Sequence, residues 1–254
     1  LTTTDGHRLH HNKTDARLRK ALPTDGVIMD LDMLRPLSRL LNKKSNQPVT
    51  LRLNTQTSTG AELSAVVGNI TLYGRTIDGK FPDWRRVVPQ GDNKQTVTFD
   101  RAEMIRALIP MPGGKSENTV IAYVLPGDQG TYLSVKTAEG YAIRMRVKSH
   151  SSAEQPMTVG YNKNYLLAAL RSVPGDTVTL TLFTAMANHA ARSAPPQTRT
   201  GEAPETNENP AILRKPGTDD LRVLMPMRIN KAETHYARTG SLEPEQTPDM
   251  KQAA

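Results

Sequence analysis

The chain has no cysteine. A disulfide framework and a thiolate metal site are therefore excluded, and nothing in the chemistry requires an oxidising compartment. Long apolar runs are missing as well: none approaches the roughly 20 residues a bilayer span needs, and no charged-then-apolar signal segment opens the chain. A soluble cytoplasmic protein is expected. Catalytic arrangements are absent too. No serine, histidine and aspartate stand in a nucleophile context, and the carboxylates show no spacing suited to general acid and base work.

Two motifs imitate chemistry without completing it. Gly113-Gly114-Lys115-Ser116 resembles the end of a phosphate-binding loop, yet that pattern needs a glycine where Ile109 stands and a strand where a helix is predicted. His7, His10 and His11 have no second cluster of ligands, and adjacent histidines on a strand point to opposite faces. Neither a metal, a cofactor nor an enzymatic activity is expected.

What is present is a 254-residue chain with 37% hydrophobic residues, enough for two domains with real cores. A formal net charge of +8 favours a polyanionic partner, because neutralising phosphates releases condensed counterions.

The chain contains an internal duplication. Leu34 to Leu53 and Lys163 to Leu182 each carry an apolar-periodic helix, a proline-containing turn and a strand, Val49 to Leu53 in one and Val178 to Leu182 in the other. The steps Thr4-Asp5-Gly6-His7-Arg8-Leu9 and Ala138-Glu139-Gly140-Tyr141-Ala142-Ile143 precede them in register. A helix and strands over about 96–136 precede the second step but have no counterpart before the first, so the first domain is expected to be incomplete.

Local signals place the elements. Asp100 and Glu103 form a capping-box pattern, Phe99 can staple onto Met104, and Met104, Ile105 and Leu108 make a buried stripe. A second helix is predicted from Asn162, burying Leu166, Leu167 and Leu170 and stopping at Pro174-Gly175. Strands are predicted at Glu62 to Val67 and Ile70 to Tyr73 around a Gly68-Asn69 turn, at Val120 to Leu125, Tyr132 to Lys136, Tyr141 to Lys148 and Val178 to Met186. The class is α+β. Ala191 to Asn209 and Lys231 to Ala254 read as a mobile loop and a disordered tail, because they cannot bury enough apolar area to offset ordering entropy.

Three strings carry a resemblance: Thr4-Asp5-Gly6-His7-Arg8-Leu9, Gly79-Lys80-Phe81-Pro82-Asp83-Trp84-Arg85-Arg86-Val87 and Val223-Leu224-Met225-Pro226-Met227-Arg228-Ile229. In this order and spacing they resemble the bacterial sliding clamps, the beta subunits of DNA polymerase III. The last string alone reads more readily as an ordinary terminal strand with Met225 and Met227 packed as core.

The resemblance covers about 1–229. It implies a DNA clamp fold of repeated domains, with antiparallel sheets outside and paired helices inside, divided here into an incomplete central domain at 1–92, a C-terminal domain at 93–230 and a tail at 231–254. It implies a non-catalytic processivity factor, and as partners duplex DNA, DNA polymerase III, clamp loader subunits and other proteins with clamp-binding peptides, in a homodimeric ring. The implied peptide groove comprises Thr4, Gly6, His7, Arg8, Leu9, Pro82, Arg86, Val87, Val223, Leu224, Met225, Pro226, Met227 and Arg228. Methionine adapts to varied apolar anchors, proline holds a wall without side-chain entropy loss, and arginine engages carboxylates.

Helix residues implied to face DNA are Arg35, Arg39, Lys43, Lys44, Arg101, Arg106, Lys163 and Arg171. Two departures stand out. Pro110-Met111-Pro112-Gly113-Gly114 replaces the arginine and aliphatic pair that the family uses at its subunit junction, and the chain continues past Ile229, where the family stops. A clamp-like adaptor or decoy that binds peptides without encircling DNA is the alternative.

Overall fold

An aspartate-closed hairpin opens the chain. In the computed structural model, which describes residues 1–14, 26–41, 48–54, 61–112, 119–137, 140–183 and 207–242, strands β1 (Thr2–Thr4) and β2 (Arg8–His11) pair antiparallel with Thr4 opposite Leu9. The Asp5 carboxylate accepts from the His7 N–H at 3.1 Å, the Arg8 N–H at 3.0 Å and Arg8 Nε at 2.9 Å. Gly6 takes φ +86°, a conformation open to glycine at little cost.

Residues 15–83 form one compact unit. Its strands β3 (Ile28–Met29), β4 (Val49–Asn54), β5 (Glu62–Val67) and β6 (Ile70–Ile77) make an antiparallel sheet in the order β3-β6-β5-β4. Helix α1 (Leu31–Leu40) starts at Asp30, whose side chain accepts from the Asp32 N–H. It lays Met33 and Leu37 on Leu63, Ala65 and Val67, the alternate residues of β5. Gly74 permits that approach, since a Cβ there would stand 2.8 Å from the Met33 sulfur.

Residues 1–14 and 84–254 form the other unit. After a 3-10 turn at Trp84–Val87 come β7 (Lys94–Asp100), α2 (Arg101–Leu108), β8 (Thr119–Val124), β9 (Thr131–Lys136), β10 (Ala142–Val147), β11 (Ser149–Ser151) and β12 (Met157–Asn162). Then follow α3 (Lys163–Ser172), β13 (Thr177–Phe183), β14 (Ala211–Arg214), β15 (Leu221–Leu224) and α4 (Lys231–Thr239). One sheet runs β1-β2-β15-β14-β13-β7-β11 and the other β10-β9-β8-β12, both antiparallel.

Helices α2 and α3 share one core with both sheets. Met104, Ala107 and Leu108 meet Leu166, Leu167, Ala169 and Leu170, together with Val97, Phe99, Val178 and Leu180 of the large sheet and Val120, Leu133, Val159 and Tyr161 of the small one. The opposite face of the large sheet carries a smaller cluster of Leu9, Phe183, Ile212, Leu221 and Val223, against which Trp84 and Val88 pack. The architecture is α+β, as the local signals predict.

The sequence reading is corrected at several points. Residues 1–14 group with the C-terminal elements in one compact unit through the pairing of β2 with β15. Lys231–Thr239, expected within a disordered tail, is helix α4, since Asn230 and Glu233 form a full reciprocal capping box at 2.8 Å each way. The box expected at Asp100 is half formed: Asp100 accepts from the Glu103 N–H, but the Glu103 carboxylate accepts from the Lys148 N–H at 3.0 Å instead. Strand β14 was not foreseen. The strand predicted to Met186 is described to Phe183; residues 184–186, the loop at 191–206, Gly113 to Ser116, Ala138 and Glu139 lie outside the described residues, whereas the Asn207 N–H, at the end of that loop, donates to Thr158 O at 2.9 Å.

Leu170 is 0% exposed at the contact of both helices with both sheets. Leu170→Ala is expected to cost roughly 2–5 kcal/mol, as lost transfer energy plus a cavity. A urea midpoint unchanged from wild type would contradict this packing.

Candidate functional site

Two of the three strings meet along one line of main-chain pairing. In β15 and β2, Val223 stands opposite Leu9 and Leu224 opposite Arg8, and the pairing continues one step further as the Met225 N–H donates to His7 O at 3.0 Å. Beyond Leu224 the strand ends and the chain crosses to the small sheet, where the Met227 N–H donates to Gly160 O at 2.8 Å. Met225-Pro226-Met227-Arg228 is thereby suspended between the two sheets of one unit.

Burial divides the predicted groove into two groups. Leu9, Val223 and Leu224 are buried as strand core and hold the surface from behind. Met225 and Met227 are each 38% exposed, Pro226 is half-buried, and Thr4, Gly6, His7 and Arg228 are exposed. The reading of the string as a purely packed terminal strand fits Val223 and Leu224 but fails for both methionines. Exposed methionine beside proline is an adaptable apolar surface.

Sequence reasoning missed Tyr165. The His7 ring stacks against it with centroids 5.8 Å apart, and the Arg8 guanidinium lies 4.7 Å from its centroid. Asp5 fixes this guanidinium from the other side, through Nε at 2.9 Å. Burial tends to raise the Asp5 pKa, but the His7 and Arg8 hydrogen bonds and the Arg8 charge outweigh it and leave it below its ordinary value. The available signal was the N-cap pattern Asn162-Lys163-Asn164-Tyr165, which sets Tyr165 in the first turn of α3 facing β2.

The middle string is divided. Val87 is 44% exposed and Arg86 is exposed, both in the 3-10 turn. Trp84 in the same turn stacks on His11 at 4.2 Å and carries Arg85 at 4.8 Å from its ring centroid. Pro82 is exposed and belongs to the unit formed by residues 15–83.

The implied DNA-facing residues do not behave alike. Arg106 on α2 and Arg171 on α3 are exposed. Lys163 instead donates to Ile109 O at 3.2 Å and to Met111 O, a cation on the C-terminal carbonyls of α2, and Arg101 donates through Nε to Gly175 O. Arg35 and Arg39 are exposed on α1 in the other unit, with Arg35 3.5 Å from Asp32, and Lys43 and Lys44 lie outside the described residues.

His10 and His11 point to opposite faces of β2. His10 stands across from Arg222, which is 2% exposed and donates to Ser172 Oγ at 3.0 Å and Ser172 O at 2.7 Å, at the C-terminal end of α3. Burial, then the Arg222 and Arg8 charges, lower the His10 pKa. Burial, then the N-terminal amine and Arg85, lower that of His11. No group of three or more His, Asp or Glu side chains converges among the described residues. None of the described helices is long and apolar enough to cross a membrane.

No protein-family model matches the chain. It is 26% identical over 185 residues to the beta sliding clamp of Vibrio cholerae, a match spanning 73% of this chain and 48% of that protein. It is 29% identical over 175 residues to that of Caulobacter vibrioides, spanning 68% and 44%. The chain thus spans about half the length of the curated relatives it matches. Among solved structures, the C. crescentus beta sliding clamp superposes with a TM-score of 0.70 at 23% identity, over 90% of this chain and 53% of the other. A DnaN sliding clamp, DNA polymerase III subunit beta, from Bartonella birtlesii gives 0.69 at 22%, over 90% and 54%.

The two histidines set a direction for the pH dependence of stability. Their folded-state pKa values lie below the ordinary 6.5, so the unfolded chain takes up protons that the fold refuses. Stability is full above about pH 6.5 and falls as the pH drops below it, levelling off once the folded-state pKa values are passed. His10→Gln should make the midpoint less sensitive between pH 7 and 5, read by fluorescence of the single Trp84; an unchanged slope would remove His10 from this account.

Proposed function

We propose that this chain, which has the sliding-clamp fold and is similar in sequence to the bacterial beta sliding clamps, acts as a non-catalytic processivity factor that tethers replication proteins to duplex DNA. Its proposed means is a groove for short peptides of DNA polymerase III, the clamp loader and other replication partners in the cytoplasm. The observation that carries the reading is the Met225-Pro226-Met227 strip, two part-exposed methionines held beside His7, Arg8 and Tyr165. An apolar, preformed surface bordered by arginine suits a peptide with an aliphatic and aromatic anchor and a polar flank.

The buried members Leu9, Val223 and Leu224 act as the rigid floor, and Thr4, Gly6, Arg86, Val87 and Arg228 as the proposed rim. Duplex DNA is the proposed polyanion, contacted through phosphates without sequence preference. On α2 and α3, Arg106 and Arg171 are proposed to do this ahead of Lys163 and Arg101, which are engaged with backbone carbonyls, and on α1 Arg35 and Arg39 are proposed likewise. A homodimeric ring is the proposed assembly.

A fluorescent peptide bearing Gln and Leu-Phe anchors should bind in the micromolar range by anisotropy. Met225→Ala with Met227→Ala should weaken it by about tenfold or more, a loss of roughly 1.4 kcal/mol or more. Unchanged affinity would remove the strip from the site.

For DNA, Arg106→Ala with Arg171→Ala should flatten the dependence of log affinity on log salt by about one for each removed phosphate contact. An identical slope would place both side chains away from the duplex. Retention on nicked circular DNA with release on linearisation would support ring closure and count against the adaptor reading.

A further inference from the structure

The methionine strip belongs to no strand, and its own main chain is held at two points: Met225 N–H to His7 O at 3.0 Å and Met227 N–H to Gly160 O at 2.8 Å. The second point depends on a missing side chain. A Cβ at Gly160 would stand 2.6 Å from Ile229 Cγ2 and 3.0 Å from Met227 O, so a larger residue there would force Ile229 or the strip to shift.

The chain beyond the strip is equally fixed. Asn230 turns it directly into α4 through the reciprocal box with Glu233. The helix then packs on β8 and β9, burying Thr234, Tyr236 and Ala237. It lies on the face away from α2 and α3, because Leu133 and Ile143 turn to the shared core while their neighbours Tyr132 and Arg144 turn outward.

Arg144 closes the far end. It donates through Nε to Ala237 O and through Nη2 to Arg238 O, both at 3.0 Å, and its guanidinium lies 3.5 Å from the Tyr132 ring centroid. These are the orphan carbonyls of the last turn of α4, so one side chain supplies a cap, a favourable charge at the helix dipole and a stacked anchor. The helix ends at Gly240 with φ +76°.

From this geometry we propose that α4 is a clasp that sets the position of the Met225–Arg228 strip, with Arg144 and Gly160 as positioning residues. The inference rests on the reading of the strip as a peptide surface. The clasp makes peptide affinity adjustable from the far side of the small sheet: docked, it presents both methionines in one arrangement; released, it leaves the Met227–Gly160 tether without support from the chain that follows, and the peptide must order the strip on binding.

The test uses the full chain with Arg144→Ala, Arg144→Lys and, as a local control, Met225→Ala. Amide exchange reads the clasp without any ligand: Arg144→Ala should speed exchange of the Met227 N–H about tenfold or more while Val159 and Leu180 keep wild-type rates, and Arg144→Lys should fall between. In parallel, anisotropy of the Gln and Leu-Phe peptide should show a Kd raised several-fold by Arg144→Ala. Wild-type exchange at Met227 in Arg144→Ala overturns the clasp whatever the peptide does. If Met227 exchange rises while Met225→Ala and Arg144→Ala both leave peptide binding unchanged, the clasp holds the strip but the peptide reading fails. If Met225→Ala alone weakens binding, the groove stands and its control by α4 is overturned.

Discussion

The pairing of β2 with β15 is the constraint on which the rest of the unit depends. It joins the two ends of the described chain through register pairs from Arg8 with Leu224 to His11 with Leu221. Closing so long a loop costs entropy that grows only slowly with length, so a few ladder bonds backed by burial of Leu9 against Val223 can offset it. Once that register is set, the side chains are placed by alternation: Leu9 turns to the small outer cluster, His10 to the Arg222 side, and the next main-chain bond delivers Met225 to the surface beside His7.

Arg222 shows how polar chemistry enforces that register. A buried guanidinium is costly unless its donors are satisfied, and here Nε and Nη2 are spent on Ser172 at the end of α3, while Nη1 has no hydrogen-bond partner among the described residues. A slip of one residue would place that charge against the apolar cluster of Leu9 and Ile212. Burial first, and then this same cation, lower the proton affinity of His10, so one buried group contributes to sheet register, helix termination and acid sensitivity together.

Much of this was legible in sequence because it is local. Asp100 and Asn162 announce α2 and α3 through caps that involve only the next few residues, and the leucine spacing after Asn162 names the residues that reach the core. The aspartate-glycine step before β2 likewise encodes its own turn. What was not legible is tertiary. Strand β14 is four residues between unpatterned stretches and exists because β13 and β15 flank it. Helix α4 has a polar composition that reads as disorder by itself; burial of Tyr236 and Ala237 and the carbonyl cap from Arg144, far away in sequence, stabilise it. Tyr165 carries no local signal of a role at the site, because its neighbours His7 and Arg8 lie far away in sequence. The carbonyl partners of Lys163 and Arg101, at Ile109 and Gly175, are likewise distant in sequence and have no local signal.

The strand order of the large sheet has a temporal meaning. Its middle is built from β13, β14 and β15, so the β1–β2 hairpin, which emerges from the ribosome long before them, has no sheet to join until residue 224 has emerged. The unit at 15–83, whose strands pair with near neighbours, can settle during synthesis, whereas the other must wait for its last strands with Leu9 open to wrong partners. Slowing translation would therefore lengthen the exposure of this nascent edge instead of helping it, the reverse of what is gained in chains whose sheets fill in order of synthesis.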